Sequence, residues 1–265
     1  MGKYLTVLKI SFQNIFEYRW NLLIGRFRQV ILLLTLYYLW STIFVGNSQL
    51  FGFNLVQMIT YVYIVHILRS VVLDTRSDNI GDEIAGDGKF LSYLLKPVNY
   101  FKYWLSVDLA YKVVNLTLTL LELTVITQIL HIKIFLQTNP VNLSLFLIST
   151  ILGGLTYFLL ISWVNFIAFW TTQFWGARFA LTLLLEFTSG AFFPLSILPQ
   201  TFQQALNLTP FPSLIYFPAK IYLGQLSITE ISSGLLIQII WLVLFFYLAR
   251  LTWLRGLKVY EAFGG

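Results

Sequence analysis

Long apolar runs, each broken by a short polar or proline-rich interval, make up most of this chain. A helix rises about 1.5 Å per residue, so roughly 20 apolar residues are needed to cross about 30 Å of hydrocarbon. Six segments qualify: 29–46, 54–73, 104–130, 143–170, 177–196 and 234–254. The third and fourth exceed the minimum, which predicts tilt or extension beyond the bilayer. The pattern therefore predicts an all-α integral membrane protein with six transmembrane helices. With no internal repeat and no soluble domain in the sequence, residues 1–265 form one transmembrane domain.

The intervals carry their own patterns. Residues 4–19, "YLTVLKISFQNIFEYR", place Leu5, Leu8, Phe12, Ile15 and Phe16 at helical spacing, with Lys9, Gln13 and Glu17 elsewhere around the wheel. Residues 1–28 are thus expected to hold an amphipathic helix lying in the interface, basic residues near anionic headgroups. Residues 196–233 are too apolar for a solvent loop, and the region is cut by Pro194, Pro199, Pro210, Pro212 and Pro218. Prolines at that density prevent a continuous helix, so short broken helices buried against protein are expected there, on the outer side.

Charge sets the orientation. Of the 17 Lys and Arg, only Lys133 and Lys220 fall outside if the N-terminus, the 74–103 segment and the C-terminus face the cytoplasm. The positive-inside rule then places both termini in the cytoplasm of a cell membrane. The composition, 58% hydrophobic and 11% charged, excludes a soluble globule. The net charge of +6 is not gathered into a basic patch interleaved with aromatics, so no nucleic-acid partner is expected. Cysteine is absent and His66 and His131 lie far apart, leaving no metal-ligand cluster. A first stretch that is amphipathic rather than a short apolar run argues against a cleaved signal peptide. Aromatic residues such as Tyr37, Tyr38, Trp40, Trp241 and Trp253 fit interfacial belts.

The longest charged interval is "GDEIAGDGKFLSYLLKPVNY", residues 81–100. Its glycines and lysine do not make a phosphate loop. Asp87 follows Gly86, Phe90 stands where a hydroxyl should follow Lys89, and Asp82, Glu83 and Asp87 would repel phosphate. Ile80, Ile84, Leu91, Leu94 and Leu95 fall near helical spacing, Gly86 and Gly88 interrupt it, and Pro97 stops it. A short bent amphipathic helix displaying acids is expected, either as a solvated face or as a dock for a cytoplasmic partner.

"GDEIAGDGKFLSYLLKP" resembles the cytoplasmic coupling region of ABC-2 type exporter permeases, with its acid, its glycine and its L-L-x-P ending. "SGAFFPLSILPQTFQQALNLTPF" is similar to that family's extracellular element, and "RGLKVYEAFGG" resembles its C-terminal ending. The resemblance implies a permease subunit that binds no cofactor itself, two copies or sister chains forming the pathway, with ATP and Mg on separate ABC ATPase subunits. It further implies that Asp82, Glu83, Gly86, Lys89, Phe90, Leu94 and Pro97 form a coupling helix seated in the ATPase, with the N-terminal helix as a second contact.

Polar groups also stand within the predicted spans. An acid at the centre of a membrane helix costs about 2.5–3.5 kcal/mol on insertion scales, so Glu122 and Glu186 should not face lipid. Asn115, Thr119 and Glu122 share one stripe, and Ser162 and Asn165 lie one turn apart. These residues form either a polar pathway lining with a proton-sensitive gate, or interhelical hydrogen bonds of about 0.6 kcal/mol each in which a protonated Glu acts as packing glue. Asp108 and Lys112 read as a local ion pair. Two other functions stay open: an ion-coupled secondary carrier using Glu122 and Glu186 as proton sites, and a membrane enzyme, for which no H-E-x-x-H or G-x-S-x-G motif appears.

Overall fold

The computed structural model describes residues 2–17, 19–86 and 89–260, with Lys89 as backbone only. Among these residues every regular element is a helix, the one bridge being Leu50 to Phe53. The order is α1 (Gly2–Glu17), α2 (Arg19–Ile43), α3 (Leu55–Leu68), α4 (Asn79–Ala85), α5 (Lys89–Leu94) and α6 (Tyr100–Leu130), then α7 (Pro140–Asn165), α8 (Trp175–Thr188), α9 (Gln200–Asn207), α10 (Tyr216–Tyr222) and α11 (Ile228–Val259). A π-helical turn, Arg69–Leu73, prolongs α3, and 3-10 turns follow α7 at Phe166–Phe169 and precede α9 at Leu195–Ile197.

The long helices begin where the local chemistry dictates. Asn54 and Gln57 form a reciprocal cap on α3, and Ser227 and Glu230 do the same on α11. Asn99 caps α6, and Asn139 caps α7 with Pro140 inside its first turn, where a missing N–H costs nothing. α3 is apolar on all sides and is buried on all sides from Met58 to Val65, which makes it the centre of the bundle. α2, α6 and α10 pack around it, α7 packs on the π-helical turn that prolongs it, and α11 lies along α7.

Among the described residues, five helices are long and apolar enough to cross a membrane: Arg19–Ile43, Leu55–Leu73, Tyr100–Leu130, Pro140–Phe169 and Ile228–Val259. The expected sixth, 177–196, is not one helix. α8 ends after 14 residues, about 21 Å, at Thr188. Gly190 turns the chain with φ +88°, and Ala191 and Leu195 then run back into the protein as buried residues. Tyr61 Oη donates to the Gly190 carbonyl at 2.6 Å and Tyr216 N to the Ser189 carbonyl at 2.9 Å, so the turn is held from α3 and α10. A Cβ at Gly190 would lie 2.7 Å from Tyr61 Oη as well as in the left-handed region. Gly190→Ala is therefore expected to cost at least about 1–2 kcal/mol, read as a lower thermal midpoint of the purified chain. Within 196–233 lie the short helices α9 and α10, and from Ile228 the chain already belongs to α11.

The N-terminal reading needs a second correction. α1 packs its Leu8, Phe12 and Ile15 on α6, while Arg19, Arg26 and Arg28 belong to the long helix α2. An arginine can stand inside such a helix because its charge is met from a neighbour, as described next.

Candidate functional site

The link between α3 and α6 is built into the bundle at both ends. Asp108 of α6, only 1% exposed, accepts from Thr75 Oγ1 and from Arg76 N, both at 2.8 Å, and pairs with Lys112 at 3.0 Å. That carboxylate fixes the chain as it leaves the π-helical turn, and the expected Asp108–Lys112 pair is present. α4 then lies against the 3-10 turn after α7. Contact this close depends on Gly81, where a Cβ would fall 2.3 Å from the Phe174 ring and 2.7 Å from Asn165 Oδ1. Asn165 donates to the Ser77 carbonyl at 3.2 Å, and Arg178 of α8 donates to the Asp78 carbonyl while standing 3.4 Å from Asp82 Oδ2. Three different helices, α6, α7 and α8, thus hold one short segment.

α5 is held by aromatic packing. Phe90 is 0% exposed, its ring enclosed by Tyr260, Tyr100, Phe169 and Trp253 at centroid distances of 4.9, 5.3, 5.6 and 5.7 Å. Edge-to-face packing of this kind adds to the burial of a large apolar surface. The segment ends against α1: Lys3 Nζ donates to the Pro97 carbonyl at 2.6 Å, and Asn99 N donates to Tyr4 Oη at 3.1 Å.

The residues expected to face a partner separate into two groups. Asp82, with its side chain 58% exposed, points outward, as do Leu94 and Pro97 together with Leu91 and Leu95, the last 80% exposed. Phe90 does not, because its ring is the anchor of the segment; a surface role for it is corrected to an internal one. Glu83 is half-buried and accepts from Tyr100 Oη at 3.3 Å. Gly86 ends α4, and a Cβ there would sit 2.6 Å from the Asp82 carbonyl. Asp87, Gly88, the Lys89 side chain and the last residues of the tail lie outside the described residues.

The polar residues of the spans do not converge on one lining. Glu122 binds Arg26 through both carboxylate oxygens, with Nε to Oε1 at 2.8 Å, while Arg26 Nη2 also donates to Thr119 Oγ1 at 2.8 Å. His66 Nε2 stands 3.5 Å from the same carboxylate. Glu186 binds Arg69 in the same bidentate manner, with Nη1 to Oε1 at 2.9 Å; Arg69 also donates to the Ala191 carbonyl at 3.3 Å and lies 5.2 Å from the Phe192 ring centroid. Both acids are thus matched by arginines in a planar fork geometry, the pairing that best offsets burial. The sequence reading counted Arg26 and Arg69 only toward orientation; the missed signal is an arginine within an otherwise apolar run when an acid stands unmatched in another. Asn115 lies on the Thr119–Glu122 stripe, and Asn165 serves the α4 contact instead. Between α2, α3, α7 and α8 a cavity of about 540 Å³ is lined by Arg69, Glu186, Asp74, Asp78 and Tyr157 among others.

Asp78, at the start of α4, has its carboxyl pKa pushed up to about 6 by burial, with Arg178 pulling it back and Asp108, Asp74 and Asp82 adding to the rise. Its value in the folded chain exceeds the unfolded one, so the folded state is favoured by protonation. That stabilisation is complete below the ordinary carboxylate range and is lost as pH rises through about 6. Asp78→Asn is expected to raise the thermal midpoint near neutral pH and to flatten its change across the mildly acidic range. A variant that instead steepens the profile contradicts the assignment.

No curated protein and no solved structure matches the chain. The family model described as ABC-2 family transporter protein matches residues 30–264, which takes in α3 through α11 and the whole of the α4–α5 segment. With a multi-pass bundle of long apolar helices and a match over nearly its entire length, the chain belongs to the ABC-2 family transporter proteins, the membrane permeases of ABC transporters.

Proposed function

We propose that this permease is the pathway-forming subunit of an exporter, working as a dimer with an identical or sister chain and driven by separate ABC ATPase subunits that grip α4–α5 from the cytoplasm. α8 supplies the remaining crossing and reaches the outer side before the chain turns at Gly190, which puts both termini on the cytoplasmic side of the cell membrane, where Lys and Arg accumulate. ATP and Mg belong to the partner, and this chain binds neither. The observation that carries the reading is the two-sided character of the segment: Asp82, Leu91, Leu94 and Leu95 face outward, while Asn165, Arg178 and the Phe90 cage tie its other side to α7, α8 and α11. A partner that moves the outer side must move the ends of those helices. Shifting such an equilibrium from 1:99 to 99:1 requires about 5.5 kcal/mol of differential binding, which ATP-driven closure of the partner would supply.

The test is Leu94→Glu combined with Leu95→Glu in the co-expressed complex. Reversal at Asp82 and Glu83 is avoided because Arg178 and Tyr100 contact those carboxylates. Membrane insertion is expected to be unchanged and ATPase co-purification to fall at least about tenfold, equivalent to about 1.4 kcal/mol. Unaltered co-purification together with unaltered transport counts against the proposal. Arginine pairing of both Glu122 and Glu186 gives each acid a structural partner within the bundle, which disfavours a secondary carrier built on them.

A further inference from the structure

Where α1 gives way to α2, these two helices meet the 74–79 turn and α6 around a cavity of about 400 Å³. Nothing in the coupling account uses it. Arg26, Arg28 and Arg76 line it, against a single acid, Asp74. The Arg26 charge is taken up by Glu122, but among the described residues neither Arg28 nor Arg76 pairs with a carboxylate. Arg76 instead has its guanidinium 3.9 Å from the centroid of the Tyr111 ring, which fixes its plane and leaves its N–H edge for a ligand. Burial raises the Asp74 carboxyl, weakening its opposition to an anion.

The walls also hold unmatched hydrogen-bonding groups. Asn115 is 1% exposed and its amide nitrogen has no acceptor; Gln29 is 9% exposed and its amide oxygen has no donor. Buried polar groups are nearly always paired, so two unpaired ones beside two free guanidinium groups point to a ligand with both acceptors and a donor. A phosphate diester supplies the acceptors to Arg28, Arg76 and Asn115, and a hydroxyl next to it supplies the donor to Gln29. On the flank of the same helix, Trp20, Ile24 and Phe27 form an exposed apolar stripe at helical spacing, suited to acyl chains.

We infer that this cavity is a binding site for the phosphate headgroup of an anionic glycerophospholipid, phosphatidylglycerol in type, seated between the N-terminal helix and the bundle. Such a lipid joins α1 to α2 and α6 and fixes the N-terminal helix against the end of the α4–α5 segment, which α1 contacts through Lys3 and Tyr4.

The test uses the full chain purified in mild detergent, with no ATPase and no transport measurement, so its result is independent of the proposed coupling. Phosphatidylglycerol and phosphatidylcholine are added in equal amounts and bound lipid is counted by native mass spectrometry, with inorganic phosphate and the thermal midpoint as a parallel arm. Preferential retention of phosphatidylglycerol that falls at least about tenfold in Arg28→Gln/Arg76→Gln supports the site. If that double variant does not fold, Arg28→Gln alone, at an exposed position, must still lower retention by roughly threefold. A midpoint raised by inorganic phosphate as strongly as by the lipid, and abolished by the same variants, keeps the phosphate site but assigns it to a soluble source. Equal retention of both lipids with no effect of phosphate, or retention unchanged in the variants, overturns it.

Discussion

Glu186→Gln is expected to destabilise the folded chain by about 3–5 kcal/mol, because it leaves the Arg69 guanidinium buried without its counter-charge. Arg69 is positioned from several directions, by both oxygens of Glu186, by the Ala191 carbonyl and by the Phe192 ring, so it has no alternative place to go when the carboxylate is neutralised. Loss of the whole pair is a different matter. Replacing a buried ion pair with apolar groups of similar volume is often neutral, so Arg69→Met/Glu186→Leu should recover most of the loss in yield and midpoint. A fluorescence-detected size-exclusion assay on Glu186→Gln and on the cycle of parent, Arg69→Met, Glu186→Leu and their combination checks the expectation. Single and double variants that are equally impaired would mean the pair has a role beyond mutual neutralisation, and single variants that behave like the parent would mean that Arg69 is solvated.

Phe90→Ala is expected to uncouple the protein without preventing its insertion. Truncating a fully buried aromatic side chain costs about 3–5 kcal/mol. Here the loss falls on a six-residue helix whose other contacts are few, so it is not distributed over the bundle. At about 1.4 kcal/mol per factor of ten, a loss of only 3 kcal/mol shifts the docked-to-undocked ratio of α5 more than about a hundredfold. Two readouts follow. Limited trypsin cleavage at Lys89 should accelerate, and transport by the assembled complex should collapse while the chain's yield in membranes stays near the parent value. Phe90→Leu, which keeps most of the buried volume, should retain more of both functions. Equal cleavage rates in parent and Ala variant would show that the aromatic cage does not hold the segment.

The parts of this architecture that were legible in the sequence are those set by local pattern. α3 and α7 read directly, because apolar character on every face means burial or lipid on every face. The caps at Asn99, Asn139 and Ser227 start α6, α7 and α11 earlier than the apolar runs at 104, 143 and 234 indicate, because polar first turns continue those helices beyond their apolar stretches. The acids of the α4 turn stood out because they occupy a position where cations normally accumulate. What pattern did not carry was tertiary. A hydropathy window runs straight through Gly190, where the backbone reverses only because Tyr61 and Tyr216 hold the turn. The start of α2 was placed ten residues late because Arg19, Arg26 and Arg28 look like solvent-facing charges until Glu122 is set opposite Arg26. Phe90 looked like one more contact on an amphipathic surface, since its cage is assembled from Phe169, Trp253 and Tyr260, all distant in sequence.

The most direct test of the proposed drive mechanism exploits the absence of cysteine from the chain, which makes any single engineered thiol unambiguous. Leu95→Cys places that thiol at the most exposed apolar position of the α4–α5 segment. In intact cells it should resist a membrane-impermeant maleimide, become labelled once the membrane is opened, and be shielded again when the ATPase subunits are bound. Labelling in intact cells, or labelling in opened membranes at the same rate with and without the ATPase, would contradict the assignment of this segment as the cytoplasmic grip.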